Sequence, residues 1–455
     1  MNITIIVLAA GQGLRMKSEL PKVMHPLAGR PMVRYVLDAA RALEPATLAV
    51  VVGYGADLVR QALGDEITYV TQDEQLGTGH AVQQASDAVA GQAKSVLVLY
   101  GDTPLIRPET LGQMVDHHHA VGAAVTLLTF RPDNAAGYGR IVRDRETGQV
   151  SAVVEDKVTT PEQRAIGEAN SGILCFDDRW LWPNLARMER RPGGELYLTD
   201  LVALACQQGE KVAALVVPDP LEAIGLDNRL KLAQADTEMR RRINERWMLA
   251  GVTFVHPEMT YVEADVEIGV DTVVWPNTFL QGRTRIGRGC TVGPGSVIRD
   301  STIGDGCRVT LSVVEQAIME DGSDVGPFGH LRKGAHLGKG AHMGNFGEIK
   351  NASLGPGAKM GHFSYLGDAT VGAGANIGAG TITCNYDGQH KYHTVIGEGA
   401  FIGSDTMLVA PVEVGAGAKT GAGAVVTHDV PPGSVAVGVP ARVKSAPSTD
   451  EPEVE

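Results

Sequence analysis

Val262, Ile268, Val274, Leu280, Ile286, Val292 and Ile298 stand six residues apart, with Gly, Asp, Asn and other small residues filling the positions between them. Neither the 3.6-residue period of an α-helix nor the two-residue alternation of a strand produces that spacing. A six-residue period fits a parallel β-helix, in which each hexad forms one flat side of a coil and its aliphatic residue points into the shaft. The phase resumes at Val325, Leu331, Leu337, Met343 and Ile349, then at Leu354, Met360 and Leu366, and again at Ile396, Ile402, Leu408 and Val414. The steps from Ile298 to Ile303 and from Leu366 to Val371 are five residues long, as a one-residue deletion at a corner would give. At about 18 residues per three-sided coil, hexads over residues 262 to 430 predict roughly nine or ten coils. The one long interruption, Thr383 to His393, is expected to be a loop on one face, where solenoids often carry binding groups.

A chain of 455 residues is too long for one typical domain. Before the hexads, short β-branched runs alternate with helical stretches, the pattern of an α/β unit whose parallel sheet is covered on both faces. Strands are predicted at Ile3–Leu8, Leu48–Val52, Val96–Leu99, Ala124–Thr129 and Lys211–Val217, and helices at Pro31–Ala42 and Gly79–Ala88. His117, His118 and His119 read as a solvated helix end. The charged stretch from Asn228 to Met248 reads as one long helix joining two domains. The expected division is 1–228, a linker helix 229–251, a solenoid 252–444, and an acidic, proline-bearing tail 445–455 expected to be disordered.

Composition excludes several classes of function. A net charge of −13 repels a nucleic-acid backbone, so any phosphate recognised must be met locally. Five cysteines without CxxC spacing indicate neither a disulfide framework nor a zinc cluster. No apolar run reaches membrane-spanning length, and the N-terminus has no basic n-region or cleavage site. A cytoplasmic protein with small-molecule substrates is expected.

The first predicted strand runs directly into Ala9-Ala10-Gly11-Gln12-Gly13-Leu14-Arg15, and Pro21-Lys22 follows. Glycines let backbone N–H groups approach a phosphate, and the cations after them neutralise it. A dinucleotide site would want a third glycine where Met16 stands. The spaced string Leu8-x-x-Gly11-x-Gly13-x-Arg15-Met16, followed by Pro21-Lys22, instead resembles the signature of sugar-phosphate nucleotidyltransferases. Gln72-Asp73-Glu74-Gln75-Leu76-Gly77-Thr78-Gly79 is similar to that family's uracil-reading loop, Tyr100-Gly101-Asp102 to its metal-bearing strand end, and Gly137-Tyr138-Gly139-Arg140, Glu155 and Asn170 to its sugar pocket. The resemblance implies that UTP and the sugar nucleotide meet Leu8, Ala9, Ala10, Gly11, Lys22, Gln72, Gly77, Thr78, Tyr100, Gly101, Asp102, Gly139, Glu155, Asn170 and Asp227. In such a transfer a sugar 1-phosphate oxygen attacks the α-phosphorus, and the growing negative charge must be offset, for which Arg15 and Lys22 are the candidates. Mg²⁺ would be held by Asp102 and by Asp227, where close relatives carry Asn; neighbouring Asn228 is the alternative ligand.

Arg332, Lys350, His362, Tyr365, Asn376, Asn385 and Tyr386 are polar residues set among Gly, Ala and aliphatic positions of the hexads. The string Gly361 to Asp368, followed by Asn376 to Gly388, resembles the bacterial family of bifunctional N-acetylglucosamine-1-phosphate uridylyltransferases and glucosamine-1-phosphate N-acetyltransferases, over about residues 3 to 430. The resemblance implies a left-handed parallel β-helix and a homotrimer with acetyl-transfer sites between subunits. It also implies His362 as the base that frees the amine; a carboxylate such as Glu348 could hydrogen-bond the imidazole and stabilise its charged form. Arg332, Lys350, Tyr365 and Asn376 would bind the acetyl acceptor. Acetyl-CoA would meet Ala379, Asn385, Tyr386, Ser404 and Ala422. Two other readings combine the same folds: a sugar nucleotidyltransferase whose solenoid is regulatory, and a non-catalytic scaffold. Arg15, Lys22 and Asp102 speak against the scaffold, and His362 with the Asn385-Tyr386 loop speaks against a regulatory solenoid.

Overall fold

The computed structural model describes residues 2–191 and 194–444, so the tail 445–455 lies outside the described residues. The chain divides into two compact units, one ending at Met239 and the other beginning at Arg240. The boundary falls inside a single helix, Arg229–Leu249. Asn228 caps its start by accepting the Lys231 N–H at 3.0 Å. In its first half Asp236 accepts the Ala28 N–H at 2.9 Å. In its second half Asn244 donates to the Pro257 and Thr260 carbonyls at 2.8 and 3.1 Å, and the Arg240 guanidinium lies over the Tyr261 ring. The helix thus gives half its length to each unit.

The first unit is built on a nine-stranded sheet. Its strands are β1 (Ile3–Ala9), β2 (Thr47–Val52), β3 (Thr68–Thr71), β4 (Ser95–Tyr100), β5 (Val125–Phe130), β6 (Arg140–Arg143), β7 (Val150–Val154), β8 (Ala169–Asp177) and β9 (Val212–Val216). The order is β9-β5-β8-β4-β1-β2-β3, with the β6–β7 hairpin attached to β8. β1 is wholly buried because both of its faces are covered. Ile3, Ile5 and Val7 pack into one core with Val33, Val36 and Leu37 of the helix Met32–Arg41, while Ile6 and Leu8 pack into the other with Ala81 and Val82 of the helix Thr78–Gln84.

Three sequence expectations are corrected here. The sheet is mixed, since β8 runs antiparallel between β4 and β5. β8 opens on Asn170-Ser171-Gly172, and its register to β5 shifts between Asn170 and Leu174, so turn-forming residues conceal it in the sequence. The helix predicted at Gly79–Ala88 ends at Gln84, and a separate short turn follows at Ser86–Val89. Third, His118 is buried rather than solvated, with Nδ1 2.9 Å from the Thr126 hydroxyl.

The second unit is a left-handed, three-faced prism with sheets of twelve, ten and nine strands, parallel except for the last pair, Val435–Gly438 with Ala441–Lys444. Most strands are short, and one inward side chain from each fills the shaft, as Val262, Leu280, Ile298, Val314, Leu331, Ile349 and Leu366 do on the ten-stranded face. The corners explain the two step lengths. Most six-residue steps turn through a left-handed residue three places after the inward one, as at Gly289 (φ 63°) and Gly306 (φ 64°). Five-residue steps turn one place earlier, at Asp300 (φ 47°), Asn351 (φ 47°) and Asp368 (φ 45°). Gly, Asn and Asp tolerate that conformation best, which is why they punctuate the hexads. At the interruption, Thr383 takes an inward position, and its hydroxyl accepts the Gly367 N–H at 2.7 Å and lies 3.0 Å from the Gly367 carbonyl.

Burial of His118, reinforced by repulsion from neighbouring His119, pushes its pKa from 6.5 down to about 4. The unfolded chain accepts a proton below pH 6.5 that the folded one refuses until about pH 4, so stability falls as pH falls through that window. The loss is at most about 3 kcal/mol. Urea midpoints measured from pH 7.5 to 4.5 should therefore drop, and His118→Gln, which cannot titrate, should flatten the slope. An unaltered slope in that variant would assign the acid sensitivity to other groups.

Candidate functional sites

In the first unit the C-terminal end of β1 opens on a cavity of about 300 Å³ lined by Leu8, Ala9, Ala10, Gly11, Lys22, Gln72, Gly77, Thr78, Tyr100 and Asp102. This is where a crossover α/β sheet leaves room for a ligand. Gln72 is buried and fixed, its amide donating to the Gly77 carbonyl at 3.1 Å and lying 3.0 Å from His80 Nδ1. Thr78 Oγ1 accepts the Leu198 N–H at 3.0 Å, and burial pushes the Tyr100 phenol far above its ordinary range. Gln75, from the same predicted loop, also lines the cavity, as does Glu195, which was missed from sequence because nothing sets it apart from its polar neighbours.

The ionic groups at the cavity edge are paired off. Lys22 Nζ closes on Asp102 Oδ2 in a short contact. Arg15 Nη1 reaches Asp227 Oδ2 at 2.8 Å although the Arg15 side chain is 72% exposed. Lys231, which sequence reading also missed, contacts the same Asp227 oxygen at 3.3 Å and the Tyr138 hydroxyl at 3.1 Å. The Leu226 N–H binds the Asp102 carbonyl at 2.8 Å, so the segments bearing the two aspartates are joined through the backbone. Asn228 Oδ1 is occupied in capping the helix, and its Nδ2 donates to Asp227 Oδ1 at 2.9 Å.

Gly101, Gly139, Glu155, Asn170 and Asp227 do not line this cavity. Gly139 and Asn170 meet through the Asn170 N–H and Gly139 carbonyl at 2.8 Å. Glu155 accepts from the Thr199 hydroxyl at 3.1 Å. Gly101 donates its N–H to the Leu8 carbonyl at 2.9 Å, which ties β4 to the start of the phosphate loop.

The prism carries two groups of candidate residues. His362, Asn376, Ala379, Ser404 and Ala422 line a groove of about 630 Å³, together with His342, Lys359 and Phe401. Its floor is stepped by Gly361, Gly378, Gly403 and Gly421, one from each of four successive coils. A Cβ on Gly378 would come within 2.6 Å of the next coil's backbone, so no larger residue fits that step. His362 has no hydrogen bond or ion pair among the described residues. The expected Glu348 partner is engaged elsewhere, accepting from Arg332 Nη1 at 2.7 Å. His342, which lines the same groove, meets Asp324 at 2.9 Å, a pair that sequence reading did not single out.

The second group, Arg332, Lys350, Tyr365, Asn385 and Tyr386, does not line that groove. Arg332, Lys350 and Tyr365 belong to the ten-stranded face, where the Lys350 and Tyr365 strands are neighbours. Burial raises the Tyr365 phenol, and Asn385 counters this through a hydrogen bond. Arg332 is held charged by Glu348.

A phosphate loop at a crossover sheet, joined in one chain to a hexapeptide prism with a groove floored by small residues, defines a nucleotidyltransferase coupled to a hexapeptide transferase. Residues 5–196 match the family of the MobA-like NTP transferase domain, and residues 265–300 and 393–428 match the bacterial transferase hexapeptide of six repeats. The chain is 48% identical to the bifunctional protein GlmU of Pelobacter propionicus, over 96% of this chain and 95% of that one. It is 47% identical to the bifunctional protein GlmU of Exiguobacterium sibiricum, over 96% and 97%, and 44% identical to that of Shouchella clausii, over 94% of each. The chain belongs to the bifunctional GlmU family. It is an enzyme of two activities, N-acetylglucosamine-1-phosphate uridylyl transfer and glucosamine-1-phosphate N-acetyl transfer.

Gly77 gives a direct check on the nucleotide cavity. Its φ is 95°, and a Cβ there would lie 2.5 Å from the Leu196 carbonyl oxygen, which already accepts the Gly79 N–H. Gly77→Ala is expected to raise the KM for UTP by about tenfold or more while leaving CoA release unchanged. An unchanged KM for UTP would mean that this loop does not hold the nucleotide.

Proposed function

We propose that the chain first acetylates glucosamine 1-phosphate at the prism and then uridylylates the product at the α/β unit, yielding UDP-N-acetylglucosamine and pyrophosphate for cell-envelope synthesis. The observation that carries this reading is His362, an unpaired histidine in a groove floored by Ala379, Ser404 and Ala422. A free imidazole can accept a proton, and the small floor residues leave room for a pantetheine arm. The substrate amine attacks the thioester carbonyl, His362 takes the amine proton, and the C–S bond breaks to release CoA. Asn376 would fix the sugar from the groove side. Arg332 and Lys350 would hold its phosphate, Tyr365 the sugar, and Asn385 with Tyr386 the amine and thioester.

At the α/β unit, backbone N–H groups of the Gly11 loop would cradle the triphosphate, and Gln72, Gly77 and Thr78 would hold the uracil. Glu155, Asn170 and Gly139 would hold the sugar. The sugar phosphate oxygen attacks the α-phosphorus as pyrophosphate leaves, and Arg15 and Lys22 offset the charge that accumulates. Asp102 and Asp227 offer hard oxygen donors, and each already neutralises a cation, which fits a site for Mg²⁺. Bound there, Mg²⁺ would polarise phosphate oxygens. Lys22 and Arg15 would then be free to turn from the carboxylates to the triphosphate. Asn228 is committed to capping, which favours Asp227 as the second ligand.

The acetyl-transfer residues lie in two places on one chain, His362 and Asn376 in the groove and Arg332, Lys350, Tyr365, Asn385 and Tyr386 outside it, which favours a homotrimer that completes each acetyl-transfer site between subunits. No helix among the described residues is long and apolar enough to cross a membrane; the use of UTP and acetyl-CoA is what favours a cytoplasmic enzyme. Sedimentation equilibrium is expected to return three times the 48.0 kDa chain mass. A monomer that still acetylates would refute the shared site.

Paired assays test the two-site reading. His362→Ala should abolish CoA release with glucosamine 1-phosphate and leave pyrophosphate release intact, whereas Asp102→Ala should do the reverse. Loss of both activities in either folded variant would contradict it.

A further inference from the structure

The insertion after Thr383 is folded on itself. The Asn385 carbonyl accepts the Tyr392 N–H at 2.8 Å, Tyr386 and Lys391 face each other in an antiparallel bridge, and the Asp387 carboxylate accepts the N–H groups of Gln389 and His390 at 2.7 and 2.6 Å. A hairpin closed in this way shifts as one piece, so the placement of Asn385 and Tyr386 is decided at its base. There Thr370 and His393 meet at 2.9 Å, and one residue of the preceding coil gathers most of the remaining contacts.

That residue is Asp368. Its Oδ2 accepts from Asn385 Nδ2 at 2.5 Å and its Oδ1 from Asn351 Nδ2 at 2.6 Å. Its carbonyl accepts the Thr394 N–H at 3.1 Å, and its own N–H donates to the Lys350 carbonyl at 3.1 Å. Asp368 is therefore bound to both ends of the hairpin and to the strand carrying Lys350. Two amide donors converge on it from different coils, so two acceptor oxygens are needed, and an amide in its place would set N–H against N–H. Burial opposes its ionisation, but Asn351, Asn385, Lys391 and Lys350 outweigh that effect and hold its carboxyl below the ordinary range. The left-handed corner that it occupies aims the carboxylate, and Asp is among the few residues at ease there.

We propose that Asp368 is a positioning residue for acetyl transfer, its carboxylate setting Asn385 and, through the closed hairpin, Tyr386 at fixed positions relative to Lys350 and Tyr365. This rests on the reading of those four residues as substrate-binding groups. Asp368 itself touches no substrate.

Two substitutions in the full-length enzyme separate the side chain from the corner. Asp368→Gly keeps the left-handed turn and the backbone bonds while removing both oxygens, and Asp368→Asn keeps size and turn but offers one oxygen. Both are expected to speed amide hydrogen exchange in residues 385–393 without changing it in the remaining coils. Both should raise the KM for glucosamine 1-phosphate and that for acetyl-CoA by about tenfold or more, with pyrophosphate release unaltered. Because Asp368 acts through Asn385, combining Asp368→Gly with Asn385→Ala should cost less than the product of the single effects. Unchanged hairpin exchange in Asp368→Gly, or effects that multiply in the double variant, would overturn the proposal. Faster exchange together with normal acetyl kinetics in Asn385→Ala would instead overturn the substrate-binding reading of the loop, and a positioning role with it.

Discussion

The prism depends on hydrogen bonds between coils rather than within them. Most of its strands are only two or three residues long, and each is paired with a strand of the coil before it and another of the coil after. Register must therefore be kept across the whole stack, and it is kept by an inward, mostly aliphatic side chain on each strand and by left-handed residues at most corners. Everything that acts in this unit is an exception to that rule. The groove is cut where corners carry Gly and Ala, and the hairpin is inserted where Thr383 replaces the aliphatic residue.

In the α/β unit the equivalent constraint is charge balance at the rim of a buried sheet. β1 is apolar and covered on both faces, so ionic groups gather only beyond its end. There Asp102 and Asp227 are each matched with basic side chains, Lys22 in one case and Arg15 with Lys231 in the other. Acids and bases of comparable number can exchange partners when a polyanion and a dication arrive together, with little net charge left unpaired at any stage. The pairs at this rim hold the ligand-free site together and supply the groups that the substrate needs.

Much of this was legible in the sequence, for physical reasons. The hexads announced the prism because each strand has a single inward position, and the phosphate loop announced itself through Gly11, Gly13, Arg15 and Lys22. β8 was not legible, because it opens on turn-forming residues and its register shifts. His118 read as solvated because its neighbours on the helix are polar, yet the helix turns that one ring inward to Thr126. Glu348 was expected to hydrogen-bond the His362 imidazole, whereas the fold pairs it with Arg332 of the neighbouring coil. Lys231 carries no motif; only the helix geometry brings it within reach of Asp227 and Tyr138.

Each coil of the prism touches only the coil above and the coil below. A disturbance at the hairpin is thus confined to its immediate neighbours, and nothing rigidly transmits it along the shaft. Such a stack tolerates the gain, loss or remodelling of a surface loop at one level without renegotiating the others. The same axial insulation lets a chemically demanding site occupy the later coils while the earlier ones stay plain aliphatic hexads.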